Sequence, residues 1–176
     1  MRDHPNTISV EWERPPPLVE LRLADVSTDA LKETSAALGI VLTQEANRWS
    51  RGSPGNALLA PGIWLIQSDL EALEATARLR KILHHSHDIS TGLSQCTLEG
   101  ADTNSLLSLS CGLDFRDTAF PPACITRTLF AGVPVIISRP DARNTVHLYA
   151  DRSLTHYLTT WLADAQTGLQ SLAHKD

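Results

Sequence analysis

K-I-L-H-H-S-H-D-I-S, Lys81 to Ser90, lies near the middle of a 176-residue chain and holds three of its seven histidines. Read as a metal site, it would make the chain one zinc domain; read as a joint, it divides the chain into two halves. A zinc site needs three or four ligands converging at about 2 Å. Adjacent His84 and His85 point about 100° apart on a helix and oppositely on a strand, so they diverge. No H-x-x-x-H, H-E-x-x-H or cysteine pair completes a set. As a joint the stretch makes physical sense: histidines in a last helical turn offset the negative end of the helix dipole, and Asp88 begins the next turn. The stretch therefore reads as the end of one half and the start of another.

Upstream, the patterning predicts a helix from about Asp69 to Leu83, entered through the capping-box pair Ser68 and Glu71. Its inward stripe is Leu70, Leu73, Ala77, Leu79, Ile82 and Leu83. Before it come the strands Ala57–Ala60 and Ile63–Ile66 around the turn Pro61-Gly62, and a polar Gly/Ser/Pro loop over 48–56. Farther back, Val19–Ala24 alternates as a strand, and a helix over 30–38 stops at Gly39. Residues 1–18 form an extended arm, because Pro15-Pro16-Pro17 favours polyproline II and cannot donate backbone hydrogen bonds.

Downstream the order recurs. Leu93–Leu98 is a strand, Asp102 caps a helix holding Leu106, Leu107 and Leu109, and Gly112 closes it. Cys124–Phe130, Val133–Ser138 and Val146–Ala150 are strands, with Pro134 suggesting an edge or a bulge. Asp151 caps a final helix whose Leu154, Tyr157, Leu158, Trp161, Leu162 and Ala165 carry the cleanest helical period in the chain. The expected class is α+β, in two related strand–helix–strand halves. The divisions are an arm at 1–18, a first half at 19–83, a connection at 84–92, a second half at 93–166 and a tail at 167–176.

Composition narrows the function. A net charge of −5 without a long basic run argues against nucleic acid. Apolar runs fall short of the roughly 20 residues that span a bilayer, and no apolar signal core follows the polar N-terminus. Cys96, Cys111 and Cys124 are odd in number and widely spaced, which fits reduced thiols and a cytoplasmic location. No G-x-G-x-x-G, Walker loop or G-x-S-x-G is present, so no nucleotide cradle or serine nucleophile is expected, and no residue is expected to be catalytic, cofactor-binding or metal-ligating. Trp12 in the arm, Trp49 in the loop, and Phe120 with Pro121-Pro122 are apolar residues that the helix and strand periods leave outside the core. Uncovered aromatic groups of this kind point to a partner surface.

Several motifs in order carry a family resemblance. His87-Asp88-Ile89-Ser90-Thr91-Gly92, Leu98-Glu99-Gly100, Leu106-Leu107 and Gly112-Leu113-Asp114 follow one another in the second half. Ala119-Phe120-Pro121-Pro122, Thr128-Leu129, Val133-Pro134-Val135, Leu148-Tyr149-Ala150, Arg152-Ser153, Tyr157-Leu158 and Trp161-Leu162 continue the series. Asn47-Arg48-Trp49 and Leu59-Ala60-Pro61-Gly62-Ile63-Trp64-Leu65 add to it in the first half. Together, over about residues 19–166, these resemble the gamma subunit of bacterial heterotetrameric sarcosine oxidases. Ala60, Ile63 and Ala123 depart from the family pattern, Ala123 standing where relatives often carry Gly.

The resemblance implies a fold related to the folate-binding T-protein of glycine cleavage. It also implies a non-catalytic subunit that assembles with alpha, beta and delta subunits and stabilises the large alpha and beta chains. The complex would convert sarcosine to glycine, with hydrogen peroxide and formaldehyde or 5,10-methylenetetrahydrofolate. FAD, FMN, NAD, tetrahydrofolate and zinc would sit on the other subunits and none on this one. A homologous subunit of an N-methylglutamate dehydrogenase-type complex and a stand-alone folate-binding or aminomethyl-transfer protein are the alternatives.

Overall fold

The computed structural model describes residues 8–50, 52–74, 81–140 and 144–173. In chain order the elements are β1 (Ser9–Glu13), β2 (Val19–Leu23), α1 (Thr28–Leu38), β3 (Asn56–Ala60), β4 (Ile63–Ile66), α2 (Leu70–Glu74), β5 (His84–Asp88), β6 (Leu93–Glu99), α3 (Thr103–Ser108), β7 (Ile125–Phe130), β8 (Val133–Ser138), β9 (Thr145–Asp151) and α4 (Thr155–Ala173). The class is α+β, with two antiparallel sheets and four α-helices among the described residues. The chain divides into two compact units, one of Arg14–Gly92 and one joining Met1–Glu13 to Leu93–Asp176.

In the first unit the sheet order is β3-β4-β2-β5. The alternation in V-E-L-R-L places Val19, Leu21 and Leu23 on one face, where they pack with Leu42, Trp64, Ile66 and Leu73. The β3–β4 turn needs Gly62: its φ is 76°, and a Cβ there would meet the Leu23 carbonyl at 3.1 Å. α1 starts behind the cap Ser27, whose hydroxyl accepts from the Ala30 amide, and ends at left-handed Gly39.

Three expectations for this unit need correction. Ser68 does not form the reciprocal cap; its hydroxyl donates to the Asp69 carbonyl at 3.3 Å. The described helix is Leu70–Glu74, Ala77 and Leu79 lie outside the described residues, and Leu83 is 78% exposed rather than inward. The three-histidine stretch is neither a helix end nor a plain connection. It forms β5, paired in register with β2 from Val19↔Asp88 to Leu23↔His84.

In the second unit the order is β1-β6-β9-β8-β7. The core gathers Cys96, Leu98, Leu106, Leu107, Phe130, Ile137, Leu148, Leu158 and Leu162, all nearly fully buried. α4 presents Leu158 and Leu162 to it, and Trp161 meets Phe130 edge-on at 4.9 Å. Asp151 caps the turn before α4 by accepting from the Ser153 amide at 2.8 Å, as its position suggested. α4 runs on to Ala173, so residues 167–173 continue the helix instead of forming a tail. α3 ends at Ser108, the cap residue Leu109 after it is 54% exposed, and the Asp102 side chain makes no capping bond. Pro134 lies in a central strand; it is tolerated because β8 pairs with β9 only from Val135 onward.

The largest departure is β1. Ser9–Glu13 is not a free arm: it pairs with β6 in continuous register, from Ser9↔Glu99 to Glu13↔Gln95. The three prolines that suggested an arm lie just beyond the strand.

The two sheets share an order. From one edge the first runs β5-β2-β4-β3 and the second β1-β6-β9-β8, with β7 added beyond β8; all neighbouring pairs are antiparallel. Along the chain the elements run β1-β2-α1-β3-β4-α2, then β5-β6-α3-β7-β8-β9-α4. The leading strand of each run pairs with the second strand of the other run.

Candidate partner interface

The five residues expected at a partner surface occupy three environments. Trp12 on β1 is half-buried, opposite Cys96, and packs against the core of the second unit. Its indole Nε1 is buried without a hydrogen-bond partner among the described residues. Phe120 is a core residue at 5% exposure, edge-on to Phe115 with ring centroids 5.8 Å apart. The Arg139 guanidinium lies 5.8 Å from the Phe120 ring centroid. Phe120 therefore has no ring surface left for another chain, and its reading as an interface anchor is corrected. Pro121 and Pro122 remain half-buried at the entry to β7.

Sequence reasoning missed Arg139, which organises the segment between α3 and β7. Only 3% exposed, it pairs with Asp117 and donates to Asn104 Oδ1 at 2.7 Å and to the Phe115 carbonyl at 2.9 Å. An arginine at the end of a strand gives no sequence signal of burial, because its partners come from a loop and a helix far away in the chain.

Trp49 sits in the first unit, half-buried, and bridges Ala57. The loop that carries it is built around Asn56, which is 1% exposed. The Asn56 Nδ2 donates to the Val41 carbonyl and to Ser50 Oγ, both at 3.1 Å, and its Oδ1 accepts from the Thr43 amide at 2.8 Å. Trp64 Nε1 donates to the Thr43 carbonyl at 2.8 Å, tying the same loop to the core. A groove of about 390 Å³ opens between this loop and the end of α1. Val41 on its rim is 81% exposed, the most exposed of the large apolar side chains described. Its single position in an irregular segment carried no period to mark it.

The β5 histidines form no ligand set. His85 and His87 share a face with rings 5.2 Å apart, opposite Arg22 and Glu20 of β2. Glu20, 3% exposed, accepts from Arg22 Nε at 2.6 Å. Among the described residues no group of three His, Cys, Asp or Glu side chains is placed to hold a metal. The three cysteines are free and buried, and burial pushes the Cys96 thiol up to about 12. A thiol held neutral is a poor nucleophile. Among the described residues no helix is long and apolar enough to cross a membrane.

Among the described residues this arrangement offers apolar surface, with Val41 the most exposed of the large apolar side chains. The fold is similar to that of a chain in the heterotetrameric sarcosine oxidase from Corynebacterium sp. U-96, solved in complex with pyrrole 2-carboxylate. The TM-score is 0.79 at 22% identity, covering 93% of this chain and 85% of that one, which establishes likeness of fold. A putative C-terminal regulatory domain of aspartate kinase from Porphyromonas gingivalis W83 aligns at TM-score 0.44 and 10% identity, over 92% of this chain and 98% of that one, too weakly to carry argument. No curated protein matches the sequence. The sequence model of the sarcosine oxidase gamma subunit family matches residues 24–168, and the chain belongs to that family.

Proposed function

We propose that the protein is the gamma subunit of a heterotetrameric sarcosine oxidase, a non-catalytic chain that assembles with large alpha and beta subunits and a small delta subunit. The observation that carries this reading is the family match over residues 24–168. The assembled enzyme oxidises the N-methyl group of sarcosine, giving glycine, hydrogen peroxide, and formaldehyde or 5,10-methylenetetrahydrofolate. FAD, FMN, NAD, tetrahydrofolate and zinc belong to the other subunits in this reading, and the complex works in the cytoplasm. The two runs of the chain are related halves of a fold like that of the folate-binding T-protein; the shared strand order supports this.

Each unit carries its own partner-facing residues: Trp49 and the groove-rim Val41 in the first, Pro121-Pro122 and the exposed part of Trp12 in the second. Half-buried aromatic and aliphatic groups of this kind become anchors when a partner excludes the remaining water. The deciding experiment is co-expression with the alpha, beta and delta subunits, followed by purification through a tag on alpha and an assay of peroxide formed from sarcosine. Stoichiometric gamma in an active complex is expected, with Val41→Asp and Trp49→Ala lowering its recovery. A complex that forms and turns over equally well without this chain would defeat the reading. Faster turnover of N-methylglutamate than of sarcosine would redirect it to the related dehydrogenase.

A further inference from the structure

We infer that the outer edge of β7 receives an extended segment of another subunit of the complex, which continues the second unit's sheet as a further strand. The inference rests on the proposed function and deepens it, because it names the kind of segment that a partner supplies.

The main chain of β7 sets the slot. In an antiparallel ladder, facing residues alternate between pairs that exchange both hydrogen bonds and pairs that exchange none. Leu129 faces Pro134, which has no N–H to give, so this pair exchanges none. The Leu129 N–H and C=O therefore point away from β8, and so do those of Arg127, two residues along. The Ala131 amide, two residues the other way, points outward as well, and the Ser110 carbonyl takes it at 3.2 Å. No described residue takes the outward main-chain groups of Leu129. β7 is the end strand of its sheet. Outward amides and carbonyls on an end strand are a template for one more strand.

The other three edge strands are guarded. β1 turns Glu11 and Glu13 outward, β5 carries only His, Ser and Asp, and β3 is bridged by Ala46 and Trp49. Charge, polarity and cover are common ways in which an edge avoids pairing. β7 instead shows Leu129, 58% exposed and the only strand residue among the exposed large apolar side chains described. Leu109, exposed, stands next to Ser110 at the end of the slot, and Tyr157 donates its hydroxyl to the Ala131 carbonyl there at 2.8 Å. Arg127 is exposed on the same face as Leu129. A chain of net charge −5 thus sets a cation beside an apolar side chain at its open edge. The segment that fits carries a carboxylate and an apolar residue two positions apart, since such residues share one face of a strand and meet Arg127 and Leu129 together. Pro121-Pro122 lead into this strand, so the edge continues the partner-facing residues of its own unit.

The test co-expresses the full chain with the other subunits, purifies through a tag on alpha, and measures hydrogen exchange at the Leu129 amide. In the assembled complex that amide should exchange at least about tenfold more slowly than in the isolated chain. Equal rates overturn the inference, because a contact made by side chains alone leaves the amide open. Leu129→Pro removes the outward N–H while sparing the ladder to β8, as proline on an edge can. It should lower the gamma recovered with alpha about tenfold. Full recovery of Leu129→Pro, with a urea midpoint showing that it folds, also overturns the inference. If that variant does not fold, exchange in the unmodified complex decides alone. Slow exchange in the isolated chain that deepens with its concentration would give the edge to a second copy and overturn the partner strand. Failure of the unmodified chain to co-purify with alpha would instead defeat the subunit assignment, and the partner strand with it.

Discussion

β1 and β5 hold corresponding edge positions in the two sheets, yet opposite chemistry holds them there. β1, S-V-E-W-E, sends Val10 and Trp12 into a core and Ser9, Glu11 and Glu13 outward. β5, H-H-S-H-D, has no apolar side chain. Beyond its ladder with β2, it is held by polar ties: Ser86 Oγ donates to Glu74 at 3.0 Å, and Asp88 accepts from the Ser90 amide at 2.7 Å to fix the turn into β6. One edge is secured by burial and the other by the ladder and the turn that follows it. Side chains removed from the two edges should therefore cost very different amounts.

The comparison breaks first at the strands beneath the edges. Leu98 of β6 and Leu21 of β2 are both fully buried. Leu98→Ala and Leu21→Ala should each cost about 3 kcal/mol, the middle of the range for buried leucines. Urea unfolding of the full chain measures both. A Leu21 cost below about 1 kcal/mol would mean that the two strands are not equivalent.

Next come the edges themselves. Trp12→Ala should cost about 2 kcal/mol, less than a fully buried tryptophan because the ring is only half covered. His85→Ala, exposed on β5, should stay within about 0.5 kcal/mol. Cys96 gives a local readout, since it lies opposite Trp12. Burial raises its folded pKa from 9.0 to about 12, so the fold favours the neutral thiol. That contribution is complete below pH 9.0 and is lost as pH rises toward about 12. At pH 8 thiol labelling of Cys96 should require β1 to lift away. Trp12→Ala should speed it about thirtyfold, the factor equivalent to 2 kcal/mol. Unchanged labelling would show that β1 does not guard this thiol.

The same contrast explains what the sequence disclosed. Alternation in β2 and the 3.6-residue period in α4 mark elements that bury one side, and both were readable. The α+β class followed from them. β1 was hidden because three prolines next to a short alternating run read as an arm, and its partner β6 lies about 80 residues away in the chain. β5 was hidden because a strand without apolar residues has no period to detect. In the candidate interface, Phe120 was misread because its cover is Phe115, from the same irregular stretch without a period, and Arg139, from beyond β8.

The smallest expected effect has the opposite sign and concerns β7, the strand with no counterpart in the four-stranded sheet. The chain enters β7 through Pro121-Pro122-Ala123-Cys124, and Ala123 has φ of 66°. A Cβ in the left-handed region costs roughly 1 kcal/mol or more. Two backbone bonds fix the turn there: the Ala123 amide donates to the Arg139 carbonyl at 2.8 Å, and the Cys124 amide to the Pro121 carbonyl at 3.1 Å. Glycine adopts this conformation without the steric cost, but it adds freedom to the unfolded chain, which offsets part of the gain. Ala123 is half-buried, so losing its methyl offsets a little more. Ala123→Gly should therefore stabilise by about 0.5 kcal/mol, seen as a raised urea midpoint at constant slope. Ala131, also left-handed at φ of 49°, is 6% exposed and packs in the core, so Ala131→Gly gives up more burial and should gain less. If both substitutions destabilise equally, backbone strain is not what distinguishes the entry to the added strand.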